Sequence, residues 1–162
     1  MTSEYERKKR AVTLFRDAYD AQMRSEFAEA AKLYGLSLEA YPTAEAHTYL
    51  GWTYSFLGRI DDAIAECKKA IEVDPDFGNP YNDIGSYLIK QGKIDEAIPW
   101  LERALAAPRY EPRHYPHCNL GRAYWSKGML VRAEQEFEKA LALSPGYAYA
   151  RTALETMRQR LH

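Results

Sequence analysis

The side chains with the clearest potential for chemistry lie close together near residue 115. His114, His117 and Cys118 could present imidazole and thiolate groups from one helical face, and Glu111 stands nearby. Zinc is bound by these ligand types, and a spacing of three or four residues places two side chains on the same side of a helix. The pattern leaves a metal-dependent site open as one hypothesis for the chain.

Other signatures of catalysis are missing from the sequence. It contains no glycine-rich phosphate-binding loop, no nucleophile elbow and no zinc-protease helix motif. Acidic pairs such as Asp61–Asp62 are typical of the first turn of a helix, where carboxylates face the positive end of the helix dipole. The sequence therefore predicts a non-enzymatic protein that needs no metal or other cofactor.

Charge and composition limit the classes of partner and the location of the protein. The chain has 162 residues, a net charge of −1 and 46% hydrophobic residues, and we expect it to form one domain over residues 1–162. A nearly neutral chain lacks the excess of cations that drives nucleic-acid binding, and no apolar run is long enough for membrane insertion. Cys67 and Cys118 are far apart and form no CxxC motif, which is typical of reduced thiols. We therefore predict a cytoplasmic location.

Glycines and prolines repeat along the chain at a nearly constant step. The step is 34 and then 36 residues in two rows, which are Gly51, Gly85, Gly121 and Gly58, Gly92, Gly128. Pro42, Pro75 and Pro145 follow the same register. A period of this size indicates a stack of similar structural units, and these units are the elements that must position any functional side chain.

Each unit divides into two amphipathic helices. In the second unit His47, Leu50 and Tyr54 recur at the spacing of one helical face. Gly58 is expected to end that helix, because the left-handed backbone at a helix stop favours glycine. A second apolar stripe follows until Pro75, which prevents further helix.

The aligned units resemble the tetratricopeptide repeat family. The motif runs His47-x2-Leu50-Gly51-x2-Tyr54…Ala63-x3-Cys67…Pro75 in the second unit and His117-x2-Leu120-Gly121-x2-Tyr124…Ala133-x3-Phe137…Pro145 in the last. The resemblance implies an all-α fold, a right-handed α-solenoid of four helix pairs plus a C-terminal capping helix. The expected repeats span residues 11–43, 44–77, 78–113 and 114–147, with the capping helix at 147–161.

The repeat register bears on the metal hypothesis. His117 occupies the same position as His47 and Tyr81, where the repeat packs a ring against a neighbouring helix. Cys67 occupies a position that holds Phe137 in the last unit, as expected for a small core residue. The register therefore favours packing over metal binding at His117.

The resemblance also implies a concave groove lined by the first helix of each unit, where proteins of this family bind extended peptides or partner helices. Trp52 lies about 140° around its helix from His47, so one packed face cannot hold both side chains. Packing between repeats is the alternative role for the aromatic members of this row. The predicted groove residues are Phe15, Tyr19, Tyr49, Trp52, Phe56, Asn82, Ser86, Asn119, Arg122 and Trp125.

These residues favour a protein-interaction module that binds a peptide or a partner helix of unknown identity. Family members that bind chaperone tails hold the terminal carboxylate with a clamp of Lys, Asn and Arg side chains. In this sequence much of the clamp is replaced by Thr48, Trp52 and Asp83. A chaperone tail is therefore not the expected ligand. The alternative hypothesis is a self-assembling homo-oligomeric scaffold, in which the groove takes residues 1–10 or 147–161 of another copy.

Overall fold

The computed structural model describes residues 1–110 and 112–161, except for the side chain of Leu161. Within these residues the chain forms nine α-helices and no β-strand. In chain order the helices are α1 (Glu4–Met23), α2 (Phe27–Ala40), α3 (Ala44–Phe56), α4 (Ile60–Val73), α5 (Asn79–Lys90), α6 (Ile94–Ala106), α7 (His114–Ser126), α8 (Leu130–Leu143) and α9 (Ala148–Leu161).

The helices pack as four consecutive pairs that stack along the chain. Helix α1 packs on α2, α3 on α4, α5 on α6 and α7 on α8, and the second helix of each pair also contacts the first helix of the next. Among the first helices, α5 contacts both α3 and α7 directly. Each pair therefore buries its apolar faces against its neighbours, and the predicted α-solenoid is confirmed.

The first helix is longer than the sequence analysis predicted. Helix α1 begins at Glu4, whereas the first repeat was expected to begin at residue 11. The Ser3 hydroxyl accepts a hydrogen bond from the Glu6 N–H at 3.1 Å, and the Glu6 carboxylate accepts one from the Ser3 N–H at 3.2 Å. This capping box satisfies backbone donors that a helix start otherwise leaves unpaired, so residues 4–10, which precede the first expected repeat, are part of α1.

Left-handed residues end the first helix of every pair. Gly58, Gly92 and Gly128 have φ angles of 76°, 78° and 73°, as their positions in the repeat predicted. In the first unit Ser25 takes this place with a φ of 60°. A side chain in this conformation brings Cβ close to the neighbouring carbonyl oxygen, which costs about 1–2 kcal/mol.

Ser25→Gly is therefore expected to stabilise the protein by about 0.5–1 kcal/mol, since part of the relief is offset by the greater freedom of glycine in the unfolded chain. Urea denaturation of the two proteins measures this difference. The reverse change, Gly58→Ser, serves as the control and should lose a similar amount. Equal stability of Ser25→Gly and the natural protein would show that the turn carries no strain.

The core lies between the paired helices and continues from one pair to the next. One position of the second helix is fully buried in all four units, where it holds Tyr34, Cys67, Leu101 and Phe137. Burial raises the pKa of the Cys67 thiol, as expected for a small core residue rather than a reactive one. The sequence register thus identified the core position of each repeat.

Helix α9 packs against the last helix pair. Ala150, Leu154 and Met157 are buried against that pair, whereas the arginines Arg151 and Arg158 face outwards. The outer side of α9 is therefore charged and its inner side is apolar. Among the described residues, no helix combines the length and the apolar character that crossing a bilayer requires.

Candidate functional site

The predicted groove residues lie on the first helices of the four pairs. We call their shared surface the first-helix face, formed by one side of α1, α3, α5 and α7. Helix α3 contacts α5 and α5 contacts α7, so side chains from successive repeats meet on this surface. The structure divides the predicted residues into an aromatic part, a polar part and one residue that lies apart.

The aromatic part is a continuous chain of rings across α1, α2 and α3. Tyr49 makes edge-to-face contacts with Phe15 and Tyr19 at centroid distances of 5.2 and 6.0 Å, and with Trp52 at 5.9 Å. Trp52 in turn contacts Phe56 at 5.3 Å. Such ring pairs contribute roughly 0.5–1.5 kcal/mol each beyond their buried area. We call the set the aromatic cluster; its members are Phe15, Tyr19, Phe27, Tyr34, Tyr49, Trp52 and Phe56.

Several rings of the aromatic cluster remain open to solvent. Phe56 is 52% exposed and Tyr19 is 39% exposed, while Tyr49 and Trp52 are half-buried. Phe27, which the sequence analysis did not select, stacks on Phe56 with a centroid distance of 4.6 Å and nearly parallel planes. The partial exposure of a connected set of rings separates this region from the closed core beneath it.

An open apolar cavity adjoins the aromatic cluster at the N-terminal end of the solenoid. It has a volume of about 460 Å³ and lies between α1, the end of α2 and the start of α3. Val12 contributes to it and is 57% exposed. The cavity is lined by Lys8, Ala11, Val12, Phe15, Ser37, Tyr41, Thr43 and Glu45. Phe15 is the residue that this cavity shares with the aromatic cluster.

The polar part links α5 to α7 by hydrogen bonds between side-chain amides. Asn119 donates from Nδ2 to Oδ1 of Asn82 at 2.9 Å, and its own Oδ1 accepts from Nη1 of Arg122 at 3.0 Å. The Arg122 guanidinium also lies 5.9 Å from the ring centre of Tyr149 on α9. Ser86 lies one turn after Asn82 on α5 and is half-buried. Asn82 and Asn119 thus hold successive repeats together, besides any contact with a ligand.

Trp125 does not join the other predicted groove residues. Its ring lies 6.2 Å from that of Phe137 in an edge-to-face contact, and it packs against the last core cluster. With Leu130, Met157 and Arg160 it lines a small cavity of about 160 Å³. The orientation of α7 turns Trp125 towards α8 and α9, so it packs at the end of the stack and not beside Trp52.

The histidine position of the repeat carries a partly buried polar pair in two units. Nδ1 of His47 lies 2.7 Å from Oε2 of Glu66, and the His117–Glu136 pair shows the same distance. Lys69 and Lys139 bond the second oxygen of each carboxylate. Burial of these glutamates opposes ionisation, but the hydrogen bonds from His and Lys outweigh it and lower the pKa of both Glu66 and Glu136.

The repeat register predicts a packed ring at this position, and in the structure the ring also has a glutamate as its hydrogen-bond partner. The signal was present in the sequence, because the same histidine–glutamate spacing recurs in the second and fourth units. In the third unit the equivalent pair is Tyr81 and Trp100, whose rings lie 6.1 Å apart.

The three residues of the metal hypothesis make separate contacts. His114 packs on the rings of Tyr115 and Tyr147 at 4.2 and 4.8 Å, while His117 bonds Glu136 and Cys118 is buried. Over the described residues, no group of three or more His, Cys, Asp or Glu side chains is arranged to hold a metal ion. Glu111, the fourth candidate, lies outside the described residues.

Asp83 is an acidic residue of the first-helix face that the site prediction left out. It lies on α5, which contacts helix α3 of the aromatic cluster, and is partly buried. Burial raises the pKa of its carboxyl to about 7, and a hydrogen bond with Asn82 only partly offsets this effect. Burial raises the pKa of Cys67 and of Tyr87, and the charge of Asp83 adds to both shifts.

Comparisons with known proteins agree with this architecture. Two models of the tetratricopeptide repeat match residues 44–77 and 76–145. The small glutamine-rich tetratricopeptide repeat-containing protein 2 of Mycosarcoma maydis is 29% identical over 79 residues, which are 48% of this chain and 22% of that protein. The chain therefore spans less than a quarter of that relative's length.

Solved structures extend the likeness to nearly the whole chain. The structure of Pseudomonas aeruginosa pilF is 22% identical with a TM-score of 0.88, and the match covers 95% of this chain and 70% of that one. The first repeat domain of Spaghetti (RPAP3), bound to the HSP90 peptide SRMEEVD, is 24% identical with a TM-score of 0.67. That match covers 74% of this chain and 93% of the other. Identities at this level show a shared fold.

Proposed function

Because the chain belongs to the tetratricopeptide repeat family, we propose that it is a non-enzymatic module that binds a peptide or a partner helix along its first-helix face. The family is in general a non-catalytic protein-interaction fold. The observation that carries the proposal is the aromatic cluster, whose rings touch one another yet remain partly open to solvent.

The exposed rings supply the kind of surface that anchors a partner. Aromatic side chains bury a large area, and tyrosine and tryptophan are over-represented among the residues that dominate binding energy. Trp52 stands between Tyr49 and Phe56 in the middle of this surface. The contacts between these rings hold Trp52 in place before a ligand arrives, which reduces the entropy lost on binding.

The polar part of the first-helix face suits a peptide backbone. An asparagine amide offers an acceptor and two donors, so it can bond a main chain without reading its side chains. Asn82 and Asn119 use part of this capacity on each other, and Arg122 extends the row with a cation. We infer that Ser86, Asn119 and Arg122 contact the backbone of the ligand while Tyr19, Trp52 and Phe56 bind its apolar side chains.

The peptide bound in the RPAP3 complex differs from the ligand that we propose for this chain. That peptide, SRMEEVD, carries three acidic side chains. Chaperone-binding relatives hold the peptide carboxylate with Lys, Asn and Arg side chains. Most of these positions are occupied here by other residues, which are Thr48, Trp52 and Asp83, and Asp83 repels an acidic tail. We propose that the ligand belongs to another class of peptide.

Selection of peptides from a random phage-displayed library tests the proposal. The 162-residue protein is the bait, and the affinity of the enriched peptides for it is then measured in solution. We expect at least one family of peptides that competes for a single site and whose binding quenches tryptophan fluorescence. A library that yields no peptide with measurable affinity would contradict the proposed function.

The alternative function predicted from the sequence is self-assembly through the same face, and it stays a prediction. The cytoplasmic location also stays a prediction. Light scattering at increasing protein concentration separates self-assembly from partner binding. A mass that rises with concentration would favour the scaffold, whereas a constant monomer mass together with peptide binding would favour the interaction module.

A further inference from the structure

Asp83 has no positive partner in the part of the chain that the structure describes. It appears in none of the ion pairs formed by these residues. The titratable groups that sense its charge are Tyr49 on α3, Cys67 on α4, Tyr87 on α5 itself and Tyr110 before α7. None of the four carries a positive charge, so the carboxylate lies in a neutral and partly apolar environment.

A second polar group near Asp83 is also poorly paired. The Tyr87 hydroxyl lies one helical turn further along α5, and its side chain is only 7% exposed. Within the described residues it forms no hydrogen bond of ordinary geometry, although the Ser55 hydroxyl on α3 is close enough to lower its pKa. Buried polar groups in folded proteins are nearly always well paired, so a poorly paired hydroxyl near a carboxylate without a cation is an unusual combination.

The surroundings of Asp83 favour a cation. Ionising a carboxyl in a partly apolar site is costly, and a positive group brought by a ligand repays that cost. The neighbouring helix α3 presents the rings of Tyr49 and Trp52, and aromatic faces attract ammonium and guanidinium groups. An acidic ligand would instead be repelled by the Asp83 carboxylate, and the negative faces of the two rings would not attract it.

We propose that the peptide bound on the first-helix face inserts a lysine or arginine side chain, whose cationic head pairs with Asp83 while its methylene groups lie against Tyr49 and Trp52. This inference rests on the proposed function and specifies its ligand as a basic peptide. Asp83 sets the specificity for charge, and the aromatic cluster supplies the apolar contact area.

A double-mutant cycle between protein and peptide tests the pairing. Peptides selected from the random phage library at pH 8 are synthesised with each lysine or arginine in turn replaced by glutamine. At one peptide position we expect this replacement to weaken binding to the natural protein by about tenfold or more. Against Asp83→Asn the lysine and glutamine peptides should bind equally, because the interaction energy of the pair has been removed.

Two controls separate the pairing from a general effect of charge or folding. Glu102→Gln removes an exposed carboxylate from the second helix α6 and should leave the preference for the basic peptide unchanged. Asp83→Asn replaces a partly buried charge with a neutral side chain of the same shape, so its melting temperature at pH 8 should be no lower than that of the natural protein.

The pH dependence of binding gives an independent readout. The lysine peptide pairs with ionised Asp83, so its affinity for the natural protein should fall as the pH drops from 8 through about 7. The affinity of the same peptide for Asp83→Asn should stay constant over that range.

The inference would be overturned if the selected peptides showed no preference for a basic residue. It would also be overturned if the lysine and glutamine peptides differed in affinity by the same factor for Asp83→Asn and for the natural protein. Either result would leave the proposed peptide binding intact. A library with no binding peptide would overturn both the inference and the proposed function.

Discussion

Gly121→Leu should lower the free energy of unfolding by about 3 kcal/mol, a large part of the stability of a domain of this size. A Cβ atom at Gly121 would lie 2.7 Å from Cε1 of Phe137, and three ring atoms would lie within 2.8 Å. Phe137 is fully buried in the last core cluster. The ring cannot make room for a leucine without moving the helices around it.

Gly35→Leu is the matched control for this prediction. Gly35 lies inside α2, and a Cβ atom there would meet no other atom within 4 Å. Leucine is a better helix former than glycine, so this variant should gain up to about 1 kcal/mol. Urea denaturation of both variants measures the contrast. Equal effects at the two sites would show that the close approach of α7 and α8 does not limit residue 121.

Trp52→Ala should weaken peptide binding by about 30-fold or more and lower the free energy of unfolding by about 1–3 kcal/mol through the loss of two ring contacts, without unfolding the protein. Trp52 is half-buried and its ring contacts are with Tyr49 and Phe56, and it belongs to none of the core clusters of the described residues. Its removal therefore takes an anchor from the first-helix face and leaves the packing between repeats in place.

Trp125→Ala serves as the control for the effect on affinity. Trp125 packs on Phe137 beneath α9, so its loss should cost about 2 kcal/mol of stability and leave the affinity for peptide nearly unchanged. Fluorescence titration and urea denaturation of the two variants give all four values. If Trp52→Ala instead unfolds the protein and its folded fraction binds normally, Trp52 is a core residue and self-assembly becomes the better hypothesis.

The solenoid could be predicted from the sequence because its determinants are local and periodic. Gly58, Gly92 and Gly128 stop helices through their own backbone conformation, and the small residues of the packed face recur at the same step. The length of α1 was missed although its signal, Ser3 three residues before Glu6, is also local. A capping box is a separate short motif, so the period of the repeats does not reveal it.

The candidate site was predictable only in part. Helical spacing correctly put Tyr49 and Trp52 on a different side of α3 from His47, but it cannot show which neighbouring helix a side chain meets. For that reason the spacing could not show that Trp125 contacts Phe137, or that Phe27 stacks on Phe56 from α2. Contacts between helices that are distant in sequence decide both cases.

Asp83 shows a further limit of the sequence. Its charge is visible in the chain, but its loss of water and its lack of a cation depend on the packing of α3, α4 and α5. A carboxyl on an exposed helix face would keep its ordinary pKa.

Site-specific photo-crosslinking tests the central claim, that the first-helix face binds the peptide. The crosslinker p-benzoylphenylalanine replaces Phe56, which is 52% exposed on α3, or Val131, which is 72% exposed on the second helix α8. With a peptide selected from the random library, we expect crosslinked product from position 56 and none from position 131. Crosslinking from position 131 alone would place the peptide on the opposite surface and contradict the account.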